Sequence, residues 1–241
     1  MTAIVTGAAQ GIGAAIARKL AEEGYQVAGC DLRPTPEADG VRSYVLDVSD
    51  VASQDSLLDL ISRDLGEITS LVNAAGICTT QIVDQITPEG WAKTFAVNVQ
   101  GAFFLSRACA DRMQPGGAIV NIASISGFLP KLEQIDYGAS KAALISLTRS
   151  LALVYGPKGI RVNAVAPGVI DTPLTQAIAQ QRAELRGVAP EETLAPVLGS
   201  TPLRRMGEAE EVADVVAYLL SDKASFISGQ CLNVCGGFLM R

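Results

Sequence analysis

Residues 3–32 read AIVTGAAQGIGAAIARKLAEEGYQVAGCDL, and this stretch decides the fold. The run Ala3–Thr6 predicts a short strand, and Gly7, Gly11 and Gly13 mark a glycine turn. An amphipathic helix then runs to about Gly24, and a second strand ends at Asp31. That order is a βαβ unit with a phosphate-binding turn between its first strand and its helix. Glycines let backbone approach a pyrophosphate, while the helix start offers free N–H groups and a positive dipole end. The spacing is G-x-x-x-G-x-G rather than G-x-G-x-x-G, and such a turn standing alone is common. Flanked by both strands, with an acid about twenty residues on, it becomes a strong nucleotide signal.

Outward from this unit, strand patterns recur at 2–6, 25–30, 42–46, 68–73, 117–123, 160–166 and 229–234, with helical patterns between them. Alternation of this kind predicts an α/β fold, a Rossmann-type doubly wound parallel sheet of seven strands. All 241 residues are read as one domain, large enough to bury a substantial core. No linker, low-complexity tract or further repeat is visible.

A net charge of −6 without Lys/Arg clusters argues against nucleic acid or an anionic membrane as partner. The first strand begins one residue after Met1, which leaves no room for a secretory signal, and no charge-free stretch is long enough to span a bilayer. The expected location is cytoplasmic. Cys30, Cys78, Cys109, Cys231 and Cys235 are odd in number and scattered, which suits free thiols in a reducing compartment. Cys231 and Cys235 share a strand pattern without further ligands, so no metal is expected. There is no histidine, which excludes a Ser-His-Asp triad and a histidine-ligated zinc centre. Any acid–base chemistry falls to other side chains.

Ser124 lies thirteen residues before Tyr137, and Tyr137 four before Lys141, in DYGASKAALISLTRSLA. Apolar Ala142, Leu144, Ile145, Leu147 and Leu151 give this run a helical pattern, so Tyr137 and Lys141 fall one turn apart on one face. An ammonium beside a phenol favours the ionised form and makes tyrosine a usable general acid or base. By itself such a pair is an ordinary pair of surface neighbours. Coupled to the nucleotide unit it reads as chemistry.

These motifs together resemble the short-chain dehydrogenase/reductase family, in the branch carrying TGxxxGxG and YxxxK. The likeness covers essentially the whole chain: Thr6 to Gly13, Asp47-Val48, Asn73-Ala74-Ala75-Gly76, Asn98, Ser124, Tyr137, Lys141, and Pro167-Gly168 followed by Thr172. Cys235 departs from it, standing before Gly236-Gly237 where the family often has an aspartate. The resemblance implies a hydride-transferring oxidoreductase that interconverts a secondary alcohol and a ketone with a nicotinamide cofactor. It implies that Tyr137 exchanges the proton with the substrate oxygen and Ser124 fixes that oxygen. Lys141 is implied to lower the tyrosine pKa and hold the nicotinamide ribose, and Asn98 to complete a tetrad through water.

The cofactor contacts implied are the turn residues Gly7, Gln10, Gly11, Ile12 and Gly13, then Asp31 and Leu32, and Asp47 and Val48 beside the adenine. Asn73, Ala74, Ala75 and Gly76 would pass the cofactor's middle, with Tyr137 and Lys141 at the ribose and Pro167, Gly168, Ile170 and Thr172 near the nicotinamide. Asp31 ends the second strand, where a carboxylate accepts hydrogen bonds from both ribose hydroxyls and repels a 2′-phosphate, so NAD is expected over NADP. Arg33 is the counter-argument, since arginine pairs with phosphate.

Residues 173–206 follow the cofactor turn with prolines and glycines breaking a helical pattern, and are expected to form a substrate lid. Pocket walls are expected from Ser126, Phe128, Leu129, Lys131 and Gln134, with Leu174 and Ile178 from the lid. The segments around Trp91 and Lys131 resemble dehydrogenases that aromatise a dihydrodiol carboxylate such as 2,3-dihydro-2,3-dihydroxybenzoate, where Lys131 would meet the carboxylate. A 3-oxoacyl thioester reductase is a second reading, and a non-catalytic NAD-binding sensor a third from another class. An intact Asn98, Ser124, Tyr137 and Lys141 speaks against the sensor. Helices expected around 91–112 and 137–156 carry apolar residues on more than one face, and with the resemblance they imply a homotetramer.

Overall fold

In the computed structural model of the chain, which describes residues 1–36 and 38–240, the first apolar run forms strand β1 (Thr2–Thr6), buried throughout. Helix α1 (Gly11–Glu22) follows the glycine turn. The chain continues through β2 (Gln26–Asp31), β3 (Val41–Val45), α2 (Val51–Leu65), β4 (Ile68–Asn73), α3 (Pro88–Phe95), α4 (Ala102–Ala110) and β5 (Ala118–Ile122). It ends with α5 (Ile135–Tyr155), β6 (Arg161–Pro167), α6 (Pro173–Arg186), α7 (Pro190–Ser200), α8 (Ala209–Leu220) and β7 (Cys231–Val234).

The seven strands order as β3-β2-β1-β4-β5-β6-β7, and every pairing is parallel. A parallel sheet needs cover on both faces, and the two-residue period of its strands supplies an apolar set to each. Ala3 and Val5 of β1 face a core built with Ile16 and Leu20 of α1 and Val212 and Val216 of α8. Ile4, between them, faces the opposite core with Leu58 and Ile61 of α2, Leu105 of α4 and Leu151 of α5. Ile4 and Leu58 are fully buried, so truncating either to alanine should cost about 2–5 kcal/mol. Strand order reverses between β1 and β4, and in such sheets the crevice at the carboxyl ends beside that reversal is where ligands bind.

Two segments differ from the sequence expectation. The helix expected across 91–112 is interrupted by a π-helical turn, Ala96–Gly101, between α3 and α4. Such a turn accommodates an extra residue and often marks a functional position. Here it buries Asn98, and Gly101 meets the Val48 carbonyl so closely that a Cβ would overlap it. The region after β6, expected to be weakly patterned, forms α6 and α7. The Thr172 side chain caps α6 by accepting from the Thr175 N–H, and Gly187 ends it in the left-handed conformation at φ 68°. Pro190 opens α7, where a missing N–H costs nothing. Among the described residues no helix is long and apolar enough to cross a membrane.

Candidate active site

A cavity of about 710 Å³ opens at the carboxyl ends of the strands. Its floor is set by backbone locks. Thr6 Oγ, at the end of β1, accepts hydrogen bonds from both the Ala74 and the Ala75 N–H at 3.0 Å, tying the loop after β4 to the glycine turn. Gly7, at φ 68°, passes so near this loop that a Cβ would lie 2.8 Å from the Ala75 Cα. Gly13 needs its missing side chain for the same reason, because a Cβ there would collide with the Gly7 carbonyl.

One end of the cavity is acid–base chemistry. Ser124 leaves β5 in extended conformation, its Oγ accepting from the Ser126 N–H at 3.1 Å, and it borders the cavity with Tyr137, whose ionised form it favours. Tyr137 and Lys141 lie one turn apart on α5, as their spacing predicts. Their electrostatics differ from the expectation. Burial pushes the Tyr137 phenol above its ordinary range, with Ser124 opposing, and burial also lowers the Lys141 ammonium to about 8. Lys141 Nζ stands 5.7 Å from the ring centroid and donates to the Ile122 carbonyl at 2.7 Å. Burial therefore dominates at Tyr137, and the phenol is protonated at neutral pH. Ser124 and Tyr137 are thus arranged to hold one substrate oxygen between two hydroxyls, with a proton available on Tyr137.

A buried polar chain fixes this helix to the sheet. Asn73 of β4 donates to Asn121 of β5 at 2.8 Å, Asn121 donates to Thr148 of α5 at 2.9 Å, and Thr148 donates to the Leu144 carbonyl. Asn98 ties the helix to the loop after β4 about two turns nearer the site. It exchanges two 2.9 Å hydrogen bonds with the Ile77 backbone and donates to Ser140 Oγ, which donates to the Tyr137 carbonyl. Each member is satisfied, so the chain adds rigidity without an uncompensated buried group.

The other end suits a dinucleotide. Gln10, Gly11, Ile12 and Gly13 border the cavity at the start of α1, whose first turn has no side-chain cap and no acid, leaving N–H donors for an anion. The Asp31 carboxylate is held in place by the Ala9 N–H and the Arg33 N–H, each at 3.1 Å, and is 13 % exposed. Arg33 Nε lies 3.9 Å from it, with a side chain 61 % exposed. Asp47 accepts from the Ser49 N–H and hydroxyl, which hold its carboxyl below the usual range. These residues fit the nicotinamide dinucleotide that the family uses.

Most of the residues expected from sequence border this one cavity, including Gly7, Leu32, Val48, Ala74, Ala75, Gly76, Pro167, Gly168, Ile170, Thr172, Ser126, Lys131, Gln134, Leu174 and Ile178. Four do not. Asn73 and Asn98 are buried behind it in the hydrogen bonds described above, Leu129 stands outside its lining, and Phe128, expected as a substrate wall, packs instead on the cluster of Ala123, Ile145, Ala164 and Ala166. The walls that sequence reasoning missed include Ile77, Lys93, Arg182, Leu194, Val197 and Phe238. Cys78, also missed, accepts a hydrogen bond from Gln134, and burial pushes its thiol up to about 12. Cys235 lies against Gly168 and bonds through its sulfur to the Leu239 backbone, a local turn where the family often has aspartate.

The family model described as enoyl-(acyl carrier protein) reductase matches residues 7–239. The 3-oxoacyl-(acyl-carrier-protein) reductase FabG of Escherichia coli (strain K12) is 36 % identical over 248 residues, covering 99 % of this chain and 97 % of the relative. The (3R)-3-hydroxyacyl-CoA dehydrogenase of Rattus norvegicus is 36 % identical over 259 residues, covering 99 % and 96 %. Among solved structures, ligand-free aldohexose dehydrogenase of Thermoplasma acidophilum superposes with a TM-score of 0.92 at 35 % identity, covering all of this chain and 94 % of that one. With a serine–tyrosine pair and a nucleotide turn in one cavity, and matches along its length, the chain belongs to the short-chain dehydrogenase/reductase family and is an oxidoreductase acting on CH–OH groups.

Proposed function

We propose that the protein is an NAD-dependent dehydrogenase interconverting a secondary alcohol and a ketone, with Tyr137 as the proton-exchanging residue and Ser124 as the group that positions the substrate oxygen. The observation that carries this reading is that Ser124, Tyr137 and Lys141 border one end of the cavity whose far end is lined by the Asp31 carboxylate. When bound, the nicotinamide supplies or takes the hydride. Lys141 holds positive charge beneath the ring of Tyr137 and beside Gly76, where it meets the ribose and stabilises the phenolate formed as the proton leaves. Asn98 and Asn73 act as positioning residues. Gly7 to Gly13 hold the pyrophosphate, Asp31 the adenosine ribose, Asp47 the adenine, and the turn Pro167–Thr172 the nicotinamide.

One domain spans the chain, with α6 and α7 as a substrate lid over 173–206. Five free thiols suit a reducing, cytoplasmic setting. Leu153 and Val154 on α5 are 81 % and 61 % exposed and support a homotetramer built through that helix. Light scattering at micromolar concentration checks this, and a stable monomer refutes it. A second reading, reduction of a 3-oxoacyl thioester, is supported by the names of the relatives and by the apolar wall of Leu174, Ile178, Leu194 and Val197. The test is absorbance of reduced nicotinamide with secondary alcohols, cyclic diols, ketones and 3-oxoacyl thioesters, each with both coenzymes. Turnover of alcohols or ketones with NAD supports the first reading, and turnover confined to thioesters with NADPH replaces it by the second.

A further inference from the structure

Charge is unevenly placed around the cavity. Among the described residues that border it, the only acids are Asp31 and Asp47, both at the adenosine end. Arg33 and Lys93 stand with these acids, whereas Lys131, Lys141 and Arg182 border the other end, where no acid lines the cavity. Lys141 is engaged by the Ile122 carbonyl, but among the described residues none forms an ion pair with Lys131. Lys131 is half-buried, and its ammonium is pushed down first by burial and then by the neighbouring positive charge of Arg182.

Arg182 is not neutralised by its surroundings either. It reaches from α6, 17 % exposed, with Nη2 donating to Gln134 Oε1 at 2.9 Å and Nε 3.3 Å from Glu133 Oε2. Both oxygens of that carboxylate already accept a forked pair of hydrogen bonds from Arg186 at 2.7 and 2.8 Å. One carboxylate is therefore shared by two guanidiniums while Lys131 stands unpaired beside them. A cation kept in a mostly apolar cavity without a partner costs free energy, which an anionic ligand returns. Gln134, which Arg182 holds, precedes Tyr137 by one helical turn and donates to Cys78, so the cationic wall and the proton-exchanging hydroxyl belong to one packed unit.

We propose that Lys131 and Arg182 form an anion clamp that selects substrates bearing a carboxylate apart from the carbon that exchanges hydride. The inference rests on the alcohol–ketone reading above and narrows it to hydroxy acids and oxo acids. Leu174 and Ile178, which precede Arg182 by two turns and one turn on the same face of α6, take the hydrocarbon between the two groups together with Leu194 and Val197 of α7. Arg182 provides the planar donors suited to a carboxylate, and Lys131 a point charge.

The test compares NAD-linked oxidation of 3-hydroxybutyrate and trans-2-hydroxycyclohexanecarboxylate with that of their methyl esters, together with titration of benzoate and of benzamide into the NADH complex. Hydrogen bonds to charged groups translate into a preference of about ten- to a hundredfold in kcat/KM for acid over ester, expressed mainly in KM. In Lys131→Met and Lys131→Glu that ratio should fall towards one, with NADH still bound. Esters or 3-hydroxyacyl thioesters used as well as the acids, or a ratio unchanged in both variants, overturns the clamp while leaving the dehydrogenase reading intact. Should no alcohol reduce NAD, the dehydrogenase reading falls, and benzoate alone decides the clamp. Benzoate binding at least about tenfold more tightly than benzamide, and losing that margin in Lys131→Glu, supports it, and equal affinities overturn it.

Discussion

Replacing Asp31 by serine should move coenzyme preference from NAD towards NADP. The wild-type carboxylate ends β2, is oriented by two backbone N–H groups, and is only 13 % exposed, so its charge is poorly screened. A hydrogen bond from a ribose hydroxyl to such a carboxylate contributes about 1.5–3 kcal/mol, a factor of roughly ten to a hundred in NAD affinity. Against a 2′-phosphate the same charge is repulsive by roughly 4 kcal/mol per unit charge at about 4 Å and an effective dielectric constant of about 20, before solvent reduces it. Serine keeps an acceptor for the turn and removes the charge. Arg33, 61 % exposed and freed of its 3.9 Å neighbour, is then available to a phosphate, more so with a basic residue at Leu32. Initial rates with both coenzymes and one alcohol should show the NAD/NADP ratio of kcat/KM falling by about one to two powers of ten. A wild-type enzyme equally efficient with both coenzymes, or a variant ratio moved by less than about threefold, would refute the reasoning.

Two other outcomes follow from side chains on the cavity wall. Tyr137 must be protonated to give a proton in carbonyl reduction and deprotonated to take one in alcohol oxidation. As pH rises through the region near 8 where buried Lys141 loses its proton, reduction should decline because the phenolate it leaves loses its stabilising charge, while oxidation should rise only above that region, as the phenol itself ionises, read as paired pH–rate profiles. Parallel profiles in the two directions would contradict this. Glu133 has its carboxyl held below the usual range by Arg186, so it stabilises the docking of α6 above its unfolded pKa and loses this as pH falls through the lower folded value. Glu133→Gln should loosen α6 by about 1 kcal/mol, discounted because Arg186 is 46 % exposed. Hydrogen exchange of Pro173–Arg186 should then run about fivefold faster, and unchanged exchange would show that other contacts hold the helix.

Much of this was legible in the chain because it is written in local spacing. The strand–glycine–helix–strand order of residues 3–32, the run of β-branched strands, and the thirteen- and four-residue separations of Ser124, Tyr137 and Lys141 each map onto one element or one turn. What was not legible depends on contacts between distant elements. The π-helical turn at Ala96–Gly101 exists because Gly101 meets the Val48 carbonyl and Asn98 reaches Ile77, and helical periodicity carries no sign of either. No local spacing singles out Arg182, which the fold sets beside Gln134 and Lys131. Phe128 was assigned to the pocket from its place between Ser124 and Tyr137, but the short helical turn Ile125–Gly127 directs it to the Ile145 cluster instead. The Tyr137–Lys141 spacing gave proximity correctly, while the balance of burial against charge needed the folded surroundings.

The central claim is that the Tyr137 hydroxyl exchanges the proton, and Tyr137→Phe tests it most directly, since the substitution removes one oxygen while keeping the ring that borders the cavity. Steady-state turnover and fluorescence titration of NADH should be measured on the same preparation. The account predicts kcat lowered by about a hundredfold or more, the range of a general acid–base group, with NADH affinity nearly unchanged because the hydroxyl faces substrate. A variant retaining more than about a tenth of wild-type kcat would contradict it.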